Sequence, residues 1–221
     1  MANIRNRVQA RPHAESAHPV EVRALAPSDL PAAAAVLTVG MADNPLHIRV
    51  FGSNPKARRR RLSRFLVPLI AYVQANGQVL GAYEQGDLVG VLGMIAPGRC
   101  RPGLRDRLRF AGAFAVGMSP FVLWRLRRWL ALWARHDPDT PHWHLGPLAV
   151  LPARQRRGIG RQLVMHCCAQ LDTLGANAWL ETDLEINVTF YRTFGFAEVG
   201  QDHVLNVPAW FMHRSPRERA C

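Results

Sequence analysis

The hexapeptide Gln155-Arg156-Arg157-Gly158-Ile159-Gly160 joins a strand-like run to a helix-like run, and that junction constrains the fold more than any other segment. Upstream, His144 to Leu151 is short, mostly apolar and closed by Pro152, the pattern of a buried strand ending in a turn. Downstream, Leu163, Val164, Cys167, Leu171 and Leu174 recur at spacings of one, three and four. They draw one apolar helix face that stops at Gly175. Two glycines at the junction let the backbone approach a ligand without an intervening Cβ. The helix start leaves N–H groups free, and its dipole adds partial positive charge there. Arg154, Arg156, Arg157 and Arg161 surround the same end with full charges. A junction of this kind suits a pyrophosphate.

Spacing separates the loop from other phosphate binders. It lacks the Lys-Ser/Thr ending of a nucleotide P-loop, and its first glycine comes too late for a Gly-x-Gly-x-x-Gly turn. After the helix, Ala178-Trp179-Leu180-Glu181-Thr182 reads as another strand. Asn187, Tyr191, Gly195 and Phe196 follow in the pattern Asn-x-x-x-Tyr-x-x-x-Gly-Phe, with Gly195 placed to end a helix. Trp210-Phe211-Met212-His213-Arg214 reads as a final strand. The loop and the Asn/Tyr helix resemble the two signature segments of GNAT-type N-acetyltransferases, in matching order over residues 142–214. The finer resemblance is to the puromycin N-acetyltransferase-like branch. Its marks here are Trp143 before the loop, Leu180-Glu181-Thr182 after it, and Phe211-Met212-His213-Arg214 at the close. The N-terminal half resembles that branch only through an opening strand and helix and an Asn44-Pro45 turn.

The resemblance implies an α/β fold whose central mixed, mostly antiparallel sheet is flanked by helices and splayed at the acetyl-CoA site. It implies acetyl-CoA as co-substrate, no metal, and an amine acceptor, expected to be a small molecule. Leu148, Ala149 and Val150 would present backbone to the acetyl and pantetheine groups. Gln155, Arg156, Arg157, Gly158, Ile159, Gly160 and Arg161 would form the pyrophosphate loop. Asn187 would contact the cofactor, and Tyr191 would protonate the departing thiolate. A phenol with an ordinary pKa of about 10 carries the proton needed at neutral pH. Pro147 cannot donate to a neighbouring strand and so marks an interrupted ladder. The general base stays open between three readings. His144 lies six residues before Val150, which by strand alternation puts both on one face, and an imidazole titrates near neutrality. Glu181 on the adjacent strand is the second candidate. The third reading has no dedicated base, and His142 is assigned to the start of the strand. A CoA-binding regulatory or nucleic-acid-associated module without catalysis is the rival function, and the intact loop and Tyr191 weigh against it.

Elsewhere the chain carries fewer signals. Its 221 residues, 48% hydrophobic, suffice for one good core. Residues 1–18 read as a loose leader before one acetyltransferase domain over 19–221. Val20 to Leu25 alternates as a strand, with Ser28 or Asp29 placed to cap the next helix. A further helix is expected from near Pro55 past Leu69, and a hairpin over Val79–Tyr83 and Leu88–Ile95. Residues 104–136 read as a helical insertion, broken near Ser119-Pro120, that either builds the acceptor pocket or completes the core. Cys100, Cys167, Cys168 and Cys221 fit neither a disulfide framework nor a zinc spacing, which suits a reducing cytoplasm. The uncharged run from Phe110 to Trp124 has 15 residues and is too short and broken to span a bilayer. A homodimer stays open. The net charge of +12 has three readings: nucleic-acid binding through the Arg58–Arg61 run, attraction of a polyanionic cofactor or membrane, or a solvated helix face. With 27 arginines against one lysine the bias is global, which favours the solvated face and no specific nucleic-acid partner.

Overall fold

A computed structural model describes residues 19–115 and 117–217. The expected leader and Cys221 lie outside those residues. The chain runs β1 (Val20–Ala24), α1 (Leu30–Met41), α2 (Pro45–Phe51), α3 (Pro55–Asn76), β2 (Gly77–Glu84) and β3 (Asp87–Ile95). It continues through α4 (Leu104–Ala115), α5 (Pro120–His136), β4 (Trp143–Val150), α6 (Ile159–Thr173) and β5 (Ala178–Thr182). It closes with α7 (Glu185–Arg192), β6 (Ala197–Val204) and β7 (Val207–Arg214). The strands form one seven-stranded sheet in the order β1-β2-β3-β4-β5-β7-β6. Every neighbouring pair is antiparallel except β4 with β5. This is the expected α/β arrangement: a mixed, mostly antiparallel sheet with helices on both faces.

Period-two alternation along the strands feeds two separate apolar clusters. Val79, Val91, Ile95, Trp179 and Phe211 face α1, α2, α3 and α5, where Leu37, Phe51, Leu62 and Trp129 are fully or almost fully buried. Their chain neighbours Leu80, Leu92, Leu180 and Met212 face α6 and α7 and pack with Leu163, Cys167 and Val188. The expected insertion appears as α4 and α5, with Ser119 Oγ accepting from the Val122 N–H at the start of α5. Its side chains divide between the core and a partly open layer. Trp129 belongs to the core, within 5.4 Å of the Phe65 ring centroid, while Phe110 and Phe114 pack as a half-buried layer above.

Two local expectations differ from what the fold shows. Asn44-Pro45 is the start of a helix, α2, since a proline at the first helical position gives up only an N–H that is unpaired anyway. Asp29 stands before α1 but caps nothing; its carboxylate accepts instead from the Tyr83 hydroxyl at 2.7 Å.

The arginine run on α3 is also more than a solvated face. Arg59 and Arg60 are exposed, but Arg58 is 5% exposed. It donates to the carbonyls of Ala42, Gly52 and Ser53 and to Asp43, sealing the chain between α1 and α3. Arg61 donates to the Phe51 carbonyl at 2.7 Å, at the end of α2. Removing the Arg58 guanidinium strands several carbonyls at once. Arg58→Ala is expected to destabilise the protein by about 2–4 kcal/mol in urea unfolding. Arg59→Ala and Arg60→Ala should each stay within about 0.5 kcal/mol.

Candidate active site

The loop between β4 and α6 has the conformation its sequence requires. Gly158 immediately precedes α6 with φ +82°, and Arg156 also lies in the left-handed region at φ +61°. The first helical bond runs from the Gln162 N–H to the Gly158 carbonyl, so the amides of Ile159, Gly160 and Arg161 keep the unpaired status of a helix start. A Cβ built on Gly158 would meet nothing within 4 Å, so the loop faces free space. Around it the arginines divide into two pairs. Arg154 and Arg157 both contact the buried carboxylate of Glu84, at 2.8 and 3.0 Å. Arg156 and Arg161 meet no carboxylate among the described residues, and Arg161 lies over the Phe194 ring. Gln155 turns inward: its side-chain amide donates to the Val150 carbonyl at 3.1 Å. It shapes the loop rather than facing a ligand. Ile159 is likewise a core side chain, 1% exposed, which leaves only its backbone amide for the loop.

Beside the loop the sheet opens. β4 and β5 pair only at Trp143 with Ala178 and at His144 with Trp179, and then part. On its other side β4 follows β3 with one irregularity, because Leu145 opposes Met94 while Leu148 opposes Leu92. Three steps along β4 match two along β3, which places the extra residue at Gly146-Pro147. Gly93 opposite is held to glycine, since a Cβ there would come within 2.5 Å of the Gly146 carbonyl. The bulge overturns one expectation. An inserted residue reverses the alternation, so His144 pairs with Ile95 on the α1–α5 side while Val150 packs with Ile159 and Leu163 on the α6 side. The two do not share a face. Ala149 is buried under α1, where a Cβ on Gly40 would meet it at 2.8 Å. Leu148 alone of the three β4 residues Leu148, Ala149 and Val150 lines the central cavity with its own atoms.

That cavity, about 820 Å³, passes through the gap between β4 and β5. It is lined by groups from both faces: Phe65 and Trp129 from one, Leu145 and Tyr191 from the other. His144, Glu181, Asn187 and Tyr191 therefore meet on one cavity. His144 and Glu181 are one unit, since His144 Nε2 lies 3.0 Å from Glu181 Oε2 and the Trp179 indole donates to the other carboxylate oxygen. Asn187 donates to Thr182 Oγ1 at 3.0 Å, which also accepts the Leu184 N–H and so anchors the start of α7. No described protein group takes the Tyr191 hydroxyl, and burial pushes its pKa above the usual phenol range.

Sequence reasoning missed the groups behind His144. Asp137 closes α5, and its Oδ1 lies 3.3 Å from His142 Nε2 and 3.9 Å from His144 Nδ1. Cys100 Sγ stands 3.5 Å from the same His142 nitrogen. Burial alone would lower the His142 imidazole, but bonding with Asp137, Cys100 and the Thr140 carbonyl raises it to about 10. His144 is raised likewise, with burial opposed chiefly by the charge of Glu181. The only signal in the sequence was the presence of these residue types. Their proximity comes from the sheet register and the length of the insertion.

The family model described as "Acetyltransferase (GNAT) family" matches residues 54–196. The chain belongs to the GNAT acetyltransferase family, whose members are transferases that use acetyl-CoA. Solved structures of low identity share the fold. One from Corynebacterium glutamicum, described as "histone acetyltransferase HPA2 and related acetyltransferase", is 19% identical with a TM-score of 0.68. The similarity covers 91% of this chain and 99% of that one. A GNAT acetyltransferase from Brucella melitensis in complex with acetyl-CoA is 20% identical, TM-score 0.51, over 90% and 88% of the two chains. The ribosomal-protein-S18-alanine N-acetyltransferase of Escherichia coli is 17% identical, TM-score 0.54, over 92% and 97%. Among the described residues no helix is long and apolar enough to cross a membrane.

A negative charge in the loop tests its role. Gly158→Asp points a carboxylate into free space beside the helix start, where phosphate oxygens would sit, and aspartate tolerates a positive φ better than most residues. Calorimetry is expected to show CoA binding weakened by more than about tenfold, with an unchanged circular dichroism spectrum. Equal affinity in the folded variant would remove the pyrophosphate assignment.

Proposed function

We propose that this protein transfers acetyl from acetyl-CoA to the amine of a small, largely apolar molecule. The observation that carries the reading is the cavity through the parted sheet. It brings Tyr191 from one face and the His144–Glu181 pair from the other to a single space, along the strand that leads into the loop before α6. Acetyl-CoA supplies an activated thioester. The loop residues Arg156, Gly158, Ile159, Gly160 and Arg161 hold its pyrophosphate, Gln155 and the Glu84-bound Arg157 hold the loop in shape, and Asn187 lies alongside. Backbone groups of Leu148, Ala149 and Val150, freed from β5, take the pantetheine amides and the acetyl oxygen.

The amine enters from the α4–α5 side, against the rings of Phe110, Phe114 and Trp133. Its volume and apolar walls are those of a small-molecule pocket. Glu181, held by Trp179 and His144, accepts the amine's proton as nitrogen attacks the acetyl carbon. The C–S bond breaks, and Tyr191 gives its proton to the departing sulfur. A phenol whose pKa is raised stays protonated through neutral pH, as this role requires. The finer likeness to puromycin N-acetyltransferases rests on Trp143, Leu180-Glu181-Thr182 and Phe211 to Arg214, which lie on β4, β5 and β7, and of these Glu181 and Thr182 line the cavity. Cys100, Cys167 and Cys168 form no disulfide, which accords with work in a reducing cytoplasm.

Thiol release from acetyl-CoA with a panel of amines tests the reading. Apolar and aromatic amines should turn over faster than a peptide N-terminus or a polyamine, and no turnover with any class would overturn it. With an active amine, Tyr191→Phe should lower kcat and kcat/KM together by about 10²-fold while CoA affinity holds. Wild-type kcat across pH 6–9 in that variant would make Tyr191 a packing residue.

A further inference from the structure

The cluster behind His144 has a geometry that hydrogen bonding does not account for. Four different side chains, Cys100, Asp137, His142 and His144, each point one donor atom at a common centre, and those atoms lie within 4.8 Å of one another. The shorter separations are 3.5 Å from Cys100 Sγ to His142 Nε2, 3.3 Å from His142 Nε2 to Asp137 Oδ1, and 3.9 Å from Asp137 Oδ1 to His144 Nδ1. A tetrahedron with metal–nitrogen and metal–oxygen bonds near 2.0–2.2 Å and a metal–sulfur bond near 2.3 Å has edges of about 3.3–3.7 Å. The first two separations fall in that range; the last is too long for a hydrogen bond and just beyond the range, so Asp137 and His144 would draw slightly closer on one ion.

Two further observations point the same way. His144 Nδ1 is buried and has no hydrogen-bond partner, and Asp137 Oδ1 meets only the His142 ion pair at 3.3 Å, an arrangement that burial penalises for the ring nitrogen unless something else occupies the centre. Both imidazoles are also oriented from behind. His142 Nδ1 donates to the Thr140 carbonyl at 2.8 Å, and His144 Nε2 faces Glu181 at 3.0 Å. Each contact commits the outer nitrogen as the proton carrier and turns the inner one to the centre. Carbonyl–histidine and carboxylate–histidine supports of this kind set ligand tautomers at metal sites.

We propose that Cys100, Asp137, His142 and His144 form a closed tetrahedral site for a divalent zinc ion. Thiolate with imidazole and one carboxylate is a donor set that selects zinc over magnesium or calcium. Four protein ligands leave no position for water, so the ion is structural. Its placement gives it a purpose. Cys100 lies just before α4 and Asp137 just after α5, so the ion ties both ends of the insertion to β4. The insertion carries one wall of the cavity, and the clasp fixes that wall against the strand. The ligands come from two segments, Cys100 and the Asp137–His144 stretch, and only one of them is a cysteine, which is why the cysteine pattern gave no zinc spacing and no metal was expected. Taking the ion releases the protons of the thiol and of the inner ring nitrogens. The proposal stands without the acetyltransferase reading.

The test uses the full chain, stripped with chelator, loaded with zinc chloride or cobalt chloride and passed over a desalting column. Elemental analysis is expected to find about one zinc per chain, and the loaded protein should melt several degrees above the stripped one. The cobalt form should show the visible bands of tetrahedral cobalt and a near-ultraviolet thiolate-to-metal band. Cys100→Ser should lose that ultraviolet band, and His142→Gln should lower the metal content. Folded wild-type protein that retains no zinc after desalting, or whose cobalt form lacks the thiolate band, overturns the site. Because both decisive readings are made on the wild type, failure of a variant to fold leaves them intact.

Discussion

Everything distinctive in this molecule follows from two strands that stop pairing. After the two rungs at Trp143 and His144, β4 leaves β5, and the gap becomes a passage through an otherwise continuous layer. With the ladder complete, Tyr191 and Glu181 would sit on opposite sides of closed backbone and never address one substrate. The bulge at Gly146-Pro147 keeps β4 paired with β3 while its other edge turns away. Backbone N–H and C=O groups along that edge then need partners from outside the sheet. A ligand with amides along its length meets that need, and the parted strand is in this sense half of a ladder.

The loop before α6 is built by a different device. Glu84 is almost fully buried at the end of β2, and it holds Arg154 and Arg157 from the loop on either side. A buried carboxylate is costly unless well paired, and here two guanidinium groups meet it. Two arginines are thus spent on the shape of the loop, and Arg156 and Arg161 are left to its outward charge. A loop already held in place loses little freedom when an anion arrives.

Local patterns were legible and long-range ones were not. The loop, α6 and the Asn187–Tyr191 helix could be read because their chemistry lies within a few residues, and the hairpin of β2 and β3 announced itself by alternation around Gly86. The position of His144 relative to Val150 could not be read, since one extra residue at Gly146-Pro147 reverses the count, and Pro147 signals an interrupted ladder without signalling an inserted residue. In sequence His144 and Glu181 stand as competing bases because residues are read singly there; their 3.0 Å contact depends on parallel register between strands separated by α6. Arg58 failed for the opposite reason. Four neighbouring arginines look alike in sequence, and only the turn between α1 and α3 selects one of them for burial.

The walls of the cavity are also the interior of the protein. Trp129 and Phe65 contact each other in the core and at the same time line the space in which an acceptor would sit. A lineage that widens this space by trimming either ring removes contacts that keep the α1–α5 layer folded, and large-to-small changes of that kind cost about 3–5 kcal/mol. Drift toward bulkier acceptors is therefore tied to a loss of thermal tolerance unless compensating changes come first. Phe110, Phe114 and Trp133, less deeply packed, are the positions where substrate range can evolve with the least structural debt.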